Sequence, residues 1–409
     1  MKILVVSQFF PPEMGAPAGR FHDFAQNWIA QGHEVTAVTG FPNFPAGVIH
    51  EGYRGRFYMK EEVGGVKVHR CWILTTPRRL SRPLSYASFL VSSTLCVLFA
   101  RLQYDVVVAT IPPPTVGLPG LLAALRKRVP MVLDLRDIWP EAIVQSGRLT
   151  NPLVIGLFEG IANFLYRRAA RITAVTEGWK KRLVEKGVPA EKLHVISNGV
   201  DVGAFDDVPA ELPPAFGALE PGAHWFTYAG ILNRPQGLEF ILEAAAVLRD
   251  DAPDLYAKSQ FVLIGEGPIE AELRASKEER GLDRVVFVPR QPRDAVYACL
   301  QRSFAVLVTL RPRKDTSTVP SKIYECMASG RPVLYQAGGE GANTLREAGG
   351  GSVVDPGSAS ALADAMAAYL RDPATADAHG AAGRDYVARH YDRRVLARRF
   401  SDLLAERVG

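Results

Sequence analysis

The chain has 409 residues, of which 47% are hydrophobic and 22% are charged. This size and composition exclude a fibrous, disordered or multispanning chain and favour a globular protein of two or three domains. The four cysteines lie far apart without a CxxC pair, so neither a disulfide framework nor a zinc cluster is expected. We therefore expect the protein to function in a reducing compartment. The apolar run after Lys2 is too short for a signal peptide.

The charge is divided unevenly along the chain. Residues 1–200 carry 24 Lys and Arg against 14 Asp and Glu, a net charge of +10, whereas the remainder carries 24 against 29, a net charge of −5. Halves of opposite sign predict two domains with different partners. A basic N-terminal half suits a membrane surface, an anionic lipid or a nucleic acid, and a basic surface without a partner is the alternative.

Short β-branched runs alternate with helical stretches through the first 200 residues. The opening predicts a strand at 2–7, a loop that contains Gly15, and an amphipathic helix at 18–31. Further strands are predicted at 34–39, 66–71, 105–110, 131–135, 172–175 and 194–196. This alternation predicts a doubly wound α/β domain.

A second alternation of the same kind begins near residue 225. It predicts strands at 225–229, 260–264, 285–288, 305–308 and 332–335, and helices at 238–249, 269–279, 321–328 and 359–371. The proline-rich stretch 205–224 is typical of a linker. We therefore predict domains at 1–203 and 204–385, and a C-terminal helix at 386–409 that crosses back to the first domain. Two such domains enclose a cleft, and a ligand there would lie beyond the carboxyl ends of the strands.

Several common site motifs are missing from the sequence. There is no GxGxxG after the first strand, no P-loop and no HExxH, which disfavours a dehydrogenase, a P-loop NTPase and a zinc protease. There is also no Asp-x-Asp to hold a divalent metal on a nucleotide diphosphate. We therefore expect no metal site and no cofactor, and a nucleotide ligand would need another source of positive charge.

The stretch 318–333 is the most informative one. Ser321 stands at the start of a predicted helix, whose amides and dipole favour an anion, and Lys322 adds a full positive charge. Glu325 follows one turn later on the same face. A cation at phosphates and a carboxylate that accepts two vicinal hydroxyls would hold a nucleoside diphosphate. An ordinary capped helix with a Lys322–Glu325 ion pair is the alternative.

The whole chain resembles the family 4 retaining glycosyltransferases of the GT-B fold, in which two Rossmann-like α/β domains face a central cleft. The motifs that carry the resemblance are GHEVTAVT at 32–39, ITAVTEG at 172–178, VISNGVD at 195–201, YAG at 228–230, LIGEGP at 263–268, PSKIYE at 320–325 and SGRPV at 329–333. Within that family the chain is similar to bacterial transferases that extend polysaccharide repeat units on a lipid diphosphate, including N-acetylfucosamine transferases. This narrower likeness rests on LDLRDIWPE at 133–141, on Ala229-Gly230 with Gln236-Gly237, and on PRQP at 289–292.

The resemblance implies a set of donor-binding residues. They are Gly15, Gly230, Arg234, Gln236, Gly265, Glu266, Arg290, Ser317, Ser321, Lys322 and Glu325. The chain departs from the family in two respects. Ser317 stands where relatives have the first glutamate of Glu-x7-Glu, and Ile231 and Gln236 stand near the places of the Arg and Lys that clamp the diphosphate in relatives. Backbone amides at 316–318 are then expected to contact the sugar, and Lys322, with Arg234, to take over the charge at the diphosphate.

The same resemblance places the acceptor on the first domain. Asp137 follows a strand and matches a position near the reacting sugar, where it would position or deprotonate the acceptor hydroxyl or stabilise charge on the sugar ring. A structural pair with Arg136 or a cap of the following turn is the alternative for this residue. Glu13 and Glu141 are further candidates for acceptor contacts.

An uncharged stretch at 84–100 follows Arg78, Arg79 and Arg82 and precedes Arg101. Its 17 residues span about 26 Å as a helix, short of a bilayer core of about 30 Å. A buried core helix and a helix at the bilayer surface both fit, and the basic flanks of the segment 78–101 favour membrane association. Phe89 and Leu90 are the side chains expected to insert if the helix lies on the bilayer.

These observations predict a metal-independent hexosyltransferase of this family, with a UDP-linked N-acetyl-hexosamine or deoxy-hexosamine as the expected donor. The expected acceptor is a saccharide on undecaprenyl diphosphate at the cytoplasmic face of the cell membrane, in the synthesis of O-antigen, capsule or exopolysaccharide. A GT-B sugar-nucleotide epimerase and a non-catalytic nucleotide-sugar-binding protein are the alternatives. A nucleic-acid partner is disfavoured, because no basic stretch is interleaved with aromatic residues.

Overall fold

The structure, a computed structural model, describes residues 1–13, 16–44, 47–75, 81–145, 149–312, 317 and 319–406. It divides into two compact units, one formed by Met1–Asn198 with Arg394–Gly409 and the other by Gly199–Arg393. The division at 198/199 comes five residues before the expected boundary at 203/204. The polypeptide returns to the first unit between residues 393 and 394, eight residues after the expected boundary at 385/386.

The first unit is built around one sheet. In its described part, eight strands lie in the order β3-β4-β2-β1-β5-β6-β7-β8. The strands are β1 Lys2–Val6, β2 Glu34–Gly40, β3 Tyr58–Val63, β4 Val66–Cys71, β5 Val106–Ile111, β6 Met131–Leu135, β7 Arg171–Ala174 and β8 Leu193–Val195. The helices are α1 Ala16–Ala30, α2 Ser81–Phe99, α3 Gly117–Lys127, α4 Glu141–Gln145, α5 Pro152–Arg168 and α6 Glu177–Glu185.

Seven of these strands run parallel, and β3 alone is antiparallel to its neighbour β4. The central strands are apolar and buried because helices cover both faces of the sheet, as parallel sheets require. Strand β3 was absent from the sequence prediction. It alternates between exposed and half-buried residues at the sheet edge, so it lacks the continuous apolar run of the strands that were predicted.

A buried ion pair joins several elements of this unit. The Arg20 guanidinium on α1 lies 3.0 Å from the Asp134 carboxylate on β6, and both side chains are almost fully buried. Asp134 also accepts hydrogen bonds from Thr110 on β5 and Thr173 on β7. Arg20 donates to the backbone carbonyls of Ile196 and of the residue that follows it. The pair therefore connects three adjacent strands, the first helix and the chain after β8.

The end of the chain packs on the first unit. Helix α15, Arg393–Ala405, contributes Phe400, whose ring lies 5.6 Å from Phe24 and 5.3 Å from Trp28. The Trp28 indole N–H donates to the Ala397 carbonyl oxygen at 3.0 Å. The expected single helical tail is thus two helices, of which α15 covers the helix α1.

The second unit repeats the architecture with a smaller sheet. Its described part has six parallel strands in the order β11-β10-β9-β12-β13-β14. The strands are β9 His224–Ala229, β10 Ser259–Ile264, β11 Val285–Val288, β12 Ala305–Thr309, β13 Val333–Gln336 and β14 Gly351–Val354. The helices are α7 Glu239–Asp251, α8 Pro253–Ala257, α9 Glu270–Glu279, α10 Arg293–Arg302, α11 Lys322–Ala328, α12 Glu340–Ala348, α13 Ala359–Arg371 and α14 Pro373–His390. Edge strand β14 was not predicted.

Helix α2 has one face in the core and the other exposed. Phe89 and Val97 are buried, whereas Val91, Leu95 and Phe99 are exposed by 59%, 49% and 79%. Of the two alternatives for Phe89, insertion into a bilayer or burial in the core, the structure shows the second, because its ring packs beneath the helix in the protein core. Arg78 and Arg79 lie outside the described residues, and so does the side chain of Arg82. Among the described helices, none combines the length and the apolarity that crossing a lipid bilayer requires.

The Arg20–Asp134 pair gives a test of the first unit. Replacing Asp134 by Ala leaves a buried guanidinium without its carboxylate, and we expect the free energy of unfolding to fall by about 3–5 kcal/mol. Urea denaturation measures this change. The control is Glu34→Ala, which removes two exposed pairs, with Lys2 and with Lys67, and should cost about 1 kcal/mol or less. Equal losses in the two variants would show that the buried pair is not a central support.

Candidate functional site

The candidate site of the second unit lies at the carboxyl ends of its strands. The loop after β9 and the loop after β10 leave neighbouring strands at the same edge of the sheet, since β9 and β10 pair in parallel. Helix α11 begins in the connection that follows β12, the strand on the other side of β9. This edge is where open α/β sheets bind ligands.

Two predicted glycines hold the loops against each other. A Cβ atom on Gly265 would lie 1.9 Å from the Gly230 carbonyl oxygen, so the two backbones are in direct contact. Both residues also have φ values that favour glycine, +151° at Gly230 and +138° at Gly265. One residue further, the backbone oxygen of Glu266 accepts a hydrogen bond from the Leu232 N–H at 3.0 Å, while the Glu266 side chain is exposed. Glycine is therefore required here by close backbone approach.

Lys322 is the first residue of α11, and its amine lies at this edge. The Nζ atom donates to the Gln236 Oε1 atom at 2.9 Å and lies 4.0 Å from the centre of the Tyr228 ring. A Cβ atom on Gly230 would come within 2.7 Å of Nζ, so the glycine also makes room for the amine. In the part of the chain that the structure describes, no carboxylate lies within ion-pair distance of Lys322. Burial lowers the pKa of Lys322 to about 8.

The ring of Tyr228 packs against this amine, and Tyr228 had no role in the predictions from the sequence. Its ring is fully buried in β9, and its hydroxyl donates to the Ile231 carbonyl oxygen at 3.0 Å. The same hydroxyl lies 3.3 Å from Gln236 Oε1. A lysine over an aromatic face gains cation–π stabilisation. The ring, the amide oxygen and the glycine thus fix the position of the Lys322 charge without neutralising it.

Glu325 lies one turn along α11 and has its own partners. Its Oε1 atom accepts hydrogen bonds from the Arg293 Nη2 atom at 2.6 Å and from the Tyr297 hydroxyl at 3.1 Å. The Arg293 guanidinium also stacks over the Tyr297 ring at 5.2 Å. Burial lowers the pKa of Arg293, but the Glu325 carboxylate and the Tyr297 phenol outweigh that effect and raise it. The alternative of a Lys322–Glu325 ion pair is wrong, since Glu325 pairs with Arg293 on α10.

Sequence reasoning missed Arg293 and singled out Arg290 instead. Arg290 is exposed and makes no ion pair with the described residues. Arg293 and Tyr297 are one helical turn apart on α10, so an arginine and a tyrosine at i,i+4 after the PRQP motif was the available signal. That signal becomes specific only when tertiary structure brings α10 beside α11.

The remaining predicted donor residues differ in exposure and in their partners. The Arg234 guanidinium pairs with Glu272 on α9 at 2.8 Å, and both side chains are 59% exposed. Ser321 is exposed at the N-cap position of α11, a helix of seven residues, and its side chain makes no capping hydrogen bond. Ser317 is half-buried. Gly15, Thr316 and Thr318 lie outside the described residues.

The first unit places Asp137 two residues after β6, at the carboxyl edge of its sheet. Asp137 is half-buried, and burial raises the pKa of its carboxyl group, an effect that the neighbouring Arg136 opposes. Desolvation likewise lowers the pKa of Arg136. A carboxylate with a raised pKa near the ends of the strands is suited to accept a proton.

The other two acceptor candidates have partners within the unit. Glu13 is buried and accepts hydrogen bonds from the backbone N–H groups of Phe10, Asn43 and Phe44 at 2.8–3.3 Å. Burial raises the pKa of Glu13, against these hydrogen bonds. The Glu141 carboxylate forms ion pairs with Arg182 and Lys186. Both glutamates therefore hold loops and helices in place near the edge.

Comparison with known families decides the class of protein. The model of the glycosyl transferase 4-like domain family matches residues 15–199, and that of glycosyl transferases group 1 matches residues 223–372. These matches fall on the two units in turn. The chain belongs to the GT-B glycosyltransferases.

Individual relatives agree with this assignment. Over 98% of both chains, the protein is 27% identical to WcaI of Escherichia coli K12, which is assigned as a glycosyl transferase of colanic acid biosynthesis. It is 30% identical to the 2-deoxystreptamine glucosyltransferase of Streptomyces kanamyceticus over 59% of this chain and 60% of that one. The crystal structure of Anabaena Alr3699/HepE in complex with UDP superimposes with a TM-score of 0.70 at 18% identity, covering 99% of this glycosyltransferase and 100% of that chain. The last likeness shows the fold.

The glycine contact generates a prediction for the glycosyltransferase. In Gly265→Ala the new methyl group meets the backbone of Gly230 and the residue must keep a strained φ, so we expect the second unit to lose about 1–3 kcal/mol of stability. Thermal or urea unfolding measures the loss. The matched control is Gly338→Ala, where a Cβ atom meets nothing within 4 Å and the expected change is within about 0.5 kcal/mol. An unchanged Gly265→Ala protein would contradict the contact.

Proposed function

We propose that this protein is a family 4 retaining glycosyltransferase that transfers a sugar from a UDP-sugar to a saccharide on a lipid diphosphate. The observation that carries the donor half of the proposal is the Lys322 amine. It is held by Gln236 and Tyr228 at the carboxyl edge of the sheet, and no described carboxylate neutralises it. A fixed, partly desolvated positive charge at this edge is suited to a diphosphate, and it would stabilise the charge that develops when UDP leaves.

Glu325 is proposed to hold the ribose of the nucleotide. The carboxylate lies one helical turn from Lys322, and Arg293 and Tyr297 fix its orientation through one oxygen, Oε1. The second oxygen can accept hydrogen bonds from ribose hydroxyls. The UDP bound by the Anabaena structure supports uracil as the base. Arg290, exposed after β11, is available for stacking on that base.

The proposed reaction exchanges one bond at the anomeric carbon and moves one proton. The acceptor hydroxyl oxygen bonds to the anomeric carbon on the face that the leaving group departs from, and the bond from that carbon to the phosphate oxygen breaks. UDP takes the bonding electron pair and its charge is stabilised by Lys322. The hydroxyl proton passes to Asp137, whose burial makes it a better base than an exposed carboxylate. No step in this sequence requires a metal ion.

The lipid-linked acceptor is proposed from the first unit and from the relatives. The exposed apolar side chains of α2 stand in a half of the chain with a net charge of +10, which suits an anionic bilayer surface. On α5, Leu153 and Leu157 are exposed by 83% and 62%, a second apolar feature that sequence reasoning missed. Likeness to a colanic acid transferase supports a surface polysaccharide as the product. We therefore place the enzyme at the inner face of the cell membrane.

A pH titration tests the role of Lys322. The protonated amine binds the diphosphate, so UDP affinity should be constant below pH 8 and fall above it as the free-state amine loses its proton. If bound UDP raises the pKa of Lys322 by one unit, UDP affinity should fall about tenfold as the pH rises from below the pKa of the free protein to above that of the complex. Isothermal titration calorimetry with UDP and with uridine between pH 6.5 and 9.5 measures this pH dependence of the affinity. Lys322→Arg should remove the pH dependence and keep binding, whereas equal losses for UDP and uridine would contradict the assignment.

A transfer assay tests the reaction and the role of Asp137. With lipid-diphosphate-linked saccharide in anionic vesicles, one member of a panel of UDP-sugars should yield sugar on the extracted lipid, with or without a chelator. Asp137→Asn should lower turnover about 100-fold or more, as expected for loss of a general base, and leave UDP affinity within about twofold. Loss of UDP binding would make Asp137 structural.

The same assay separates the alternative functions. A changed UDP-sugar without acceptor would indicate an epimerase, and binding without any product would indicate a non-catalytic protein.

A further inference from the structure

A pocket of about 590 Å³ lies between α2 and the β3–β4 edge of the first unit. This volume is within the range of about 300–1,000 Å³ that is typical of ligand sites. Its walls are mainly apolar and aromatic, with Phe57 and Trp72 on the hairpin side and Val91, Leu95 and Phe99 on α2. Phe57 and Phe99 are 75% and 79% exposed, so the pocket opens to the outside through aromatic rings.

The charged residues at this pocket have one sign. Lys60 and Arg101 contribute to its lining, both are exposed, and no Asp or Glu stands among the described lining residues. An apolar cavity with a cationic rim is complementary to an amphiphile that has a hydrocarbon chain and an anionic headgroup. A purely apolar ligand or segment would leave these two cations without partners.

The position of the pocket connects it with the acceptor side of the sheet. Cys71, the last residue of β4, lines the pocket, and Trp72 follows it. The pocket therefore lies at the carboxyl edge of the sheet, the same edge at which Asp137 follows β6. Four strand spacings separate β4 from β6 in the sheet order, which corresponds to about 19 Å. That distance leaves room for the polar part of a lipid-linked saccharide.

We infer that this pocket binds the hydrocarbon chain of the lipid-diphosphate acceptor next to its headgroup, with Lys60 and Arg101 facing the phosphates. This inference rests on the proposed function for the identity of the acceptor. Binding in this pocket differs from association of the α2 surface with a bilayer, because the hydrocarbon chain of the lipid enters a cavity between α2 and the β3–β4 hairpin. The enzyme thereby selects its acceptor by the lipid as well as by the sugar.

The chain offers a matched pair of leucines for the test. Leu95 lines the pocket, whereas Leu98, one turn of the same helix away, is exposed but is not among the lining residues. The probe is farnesyl phosphate below its micelle concentration, with binding followed by titration calorimetry. We expect Leu95→Gln to weaken binding about tenfold, as for the loss of two buried methylene groups, and Leu98→Gln to leave it unchanged. Farnesol, which lacks the phosphate, should bind more weakly than farnesyl phosphate.

Melting curves of both variants confirm that they are folded, and Val91→Trp, which fills the cavity from an exposed position, provides an independent block. Equal binding by wild type and both pocket variants would overturn the inference. So would equal losses in Leu95→Gln and Leu98→Gln, because that result indicates a helix surface that contacts lipid without a pocket.

Transfer kinetics separate this inference from the proposed function. With a long prenyl acceptor, Leu95→Gln should raise KM about tenfold at unchanged kcat, whereas with the same saccharide diphosphate on a short alkyl chain it should change neither. No transfer by the wild type to either acceptor would overturn the proposed function, while the farnesyl phosphate titration still decides on the pocket. Transfer with the same KM for both acceptors would retain the function and overturn the pocket.

Discussion

The backbone contact between Gly230 and Gly265 is the constraint on which the candidate donor site depends. Strands β9 and β10 are neighbours, and their following loops leave the sheet at one edge, where any side chain on Gly265 would collide with the carbonyl group of Gly230. The same Gly230 leaves space for the Lys322 amine, which approaches from α11. Three separate segments therefore share a volume that only glycine backbones leave open. The amine position follows from packing, and it does not depend on a carboxylate to hold it.

The two units use a buried cation in opposite ways. Arg20 has Asp134 beside it and donates to backbone carbonyls, so its charge is matched and the pair fixes the fold of the first unit. Lys322 has an aromatic ring and an amide oxygen, which orient the amine without cancelling its charge, and burial lowers its pKa. A desolvated charge of this kind costs stability unless a ligand offsets it. The contrast separates a cation that maintains structure from one that is available to an anionic ligand.

The sequence predicts the buried part of the fold well, since strands covered on both faces are continuous apolar runs. It fails at β3 and β14, two of the four edge strands, because their residues are mostly exposed or half-buried and form no such run. In the site, Lys322 and Glu325 were recognisable from their motif, but their partners were not. The directions of the two side chains, toward Gln236 and toward Arg293, follow from contacts with the loop after β9 and with α10, whereas helical spacing alone left an ion pair between them open as an alternative.

Helix α2 shows why composition could not decide the role of the segment 84–100. Its inward face contains Ser85, Ser88 and Ser93, all buried and bonded to nearby groups, while Val91 and Leu95 point outward. The inward face also contains Phe89 and Val97, so apolar side chains stand on both faces of α2, unlike a helix on a water-exposed surface, which turns its apolar residues inward only. The serines find partners within the protein, so burying them costs little. The outward leucine and valine would be stabilised by contact with hydrocarbon, which the proposed lipid partner supplies. The arrangement of the helix, and not its mean hydropathy, thus carries the argument for a lipid partner.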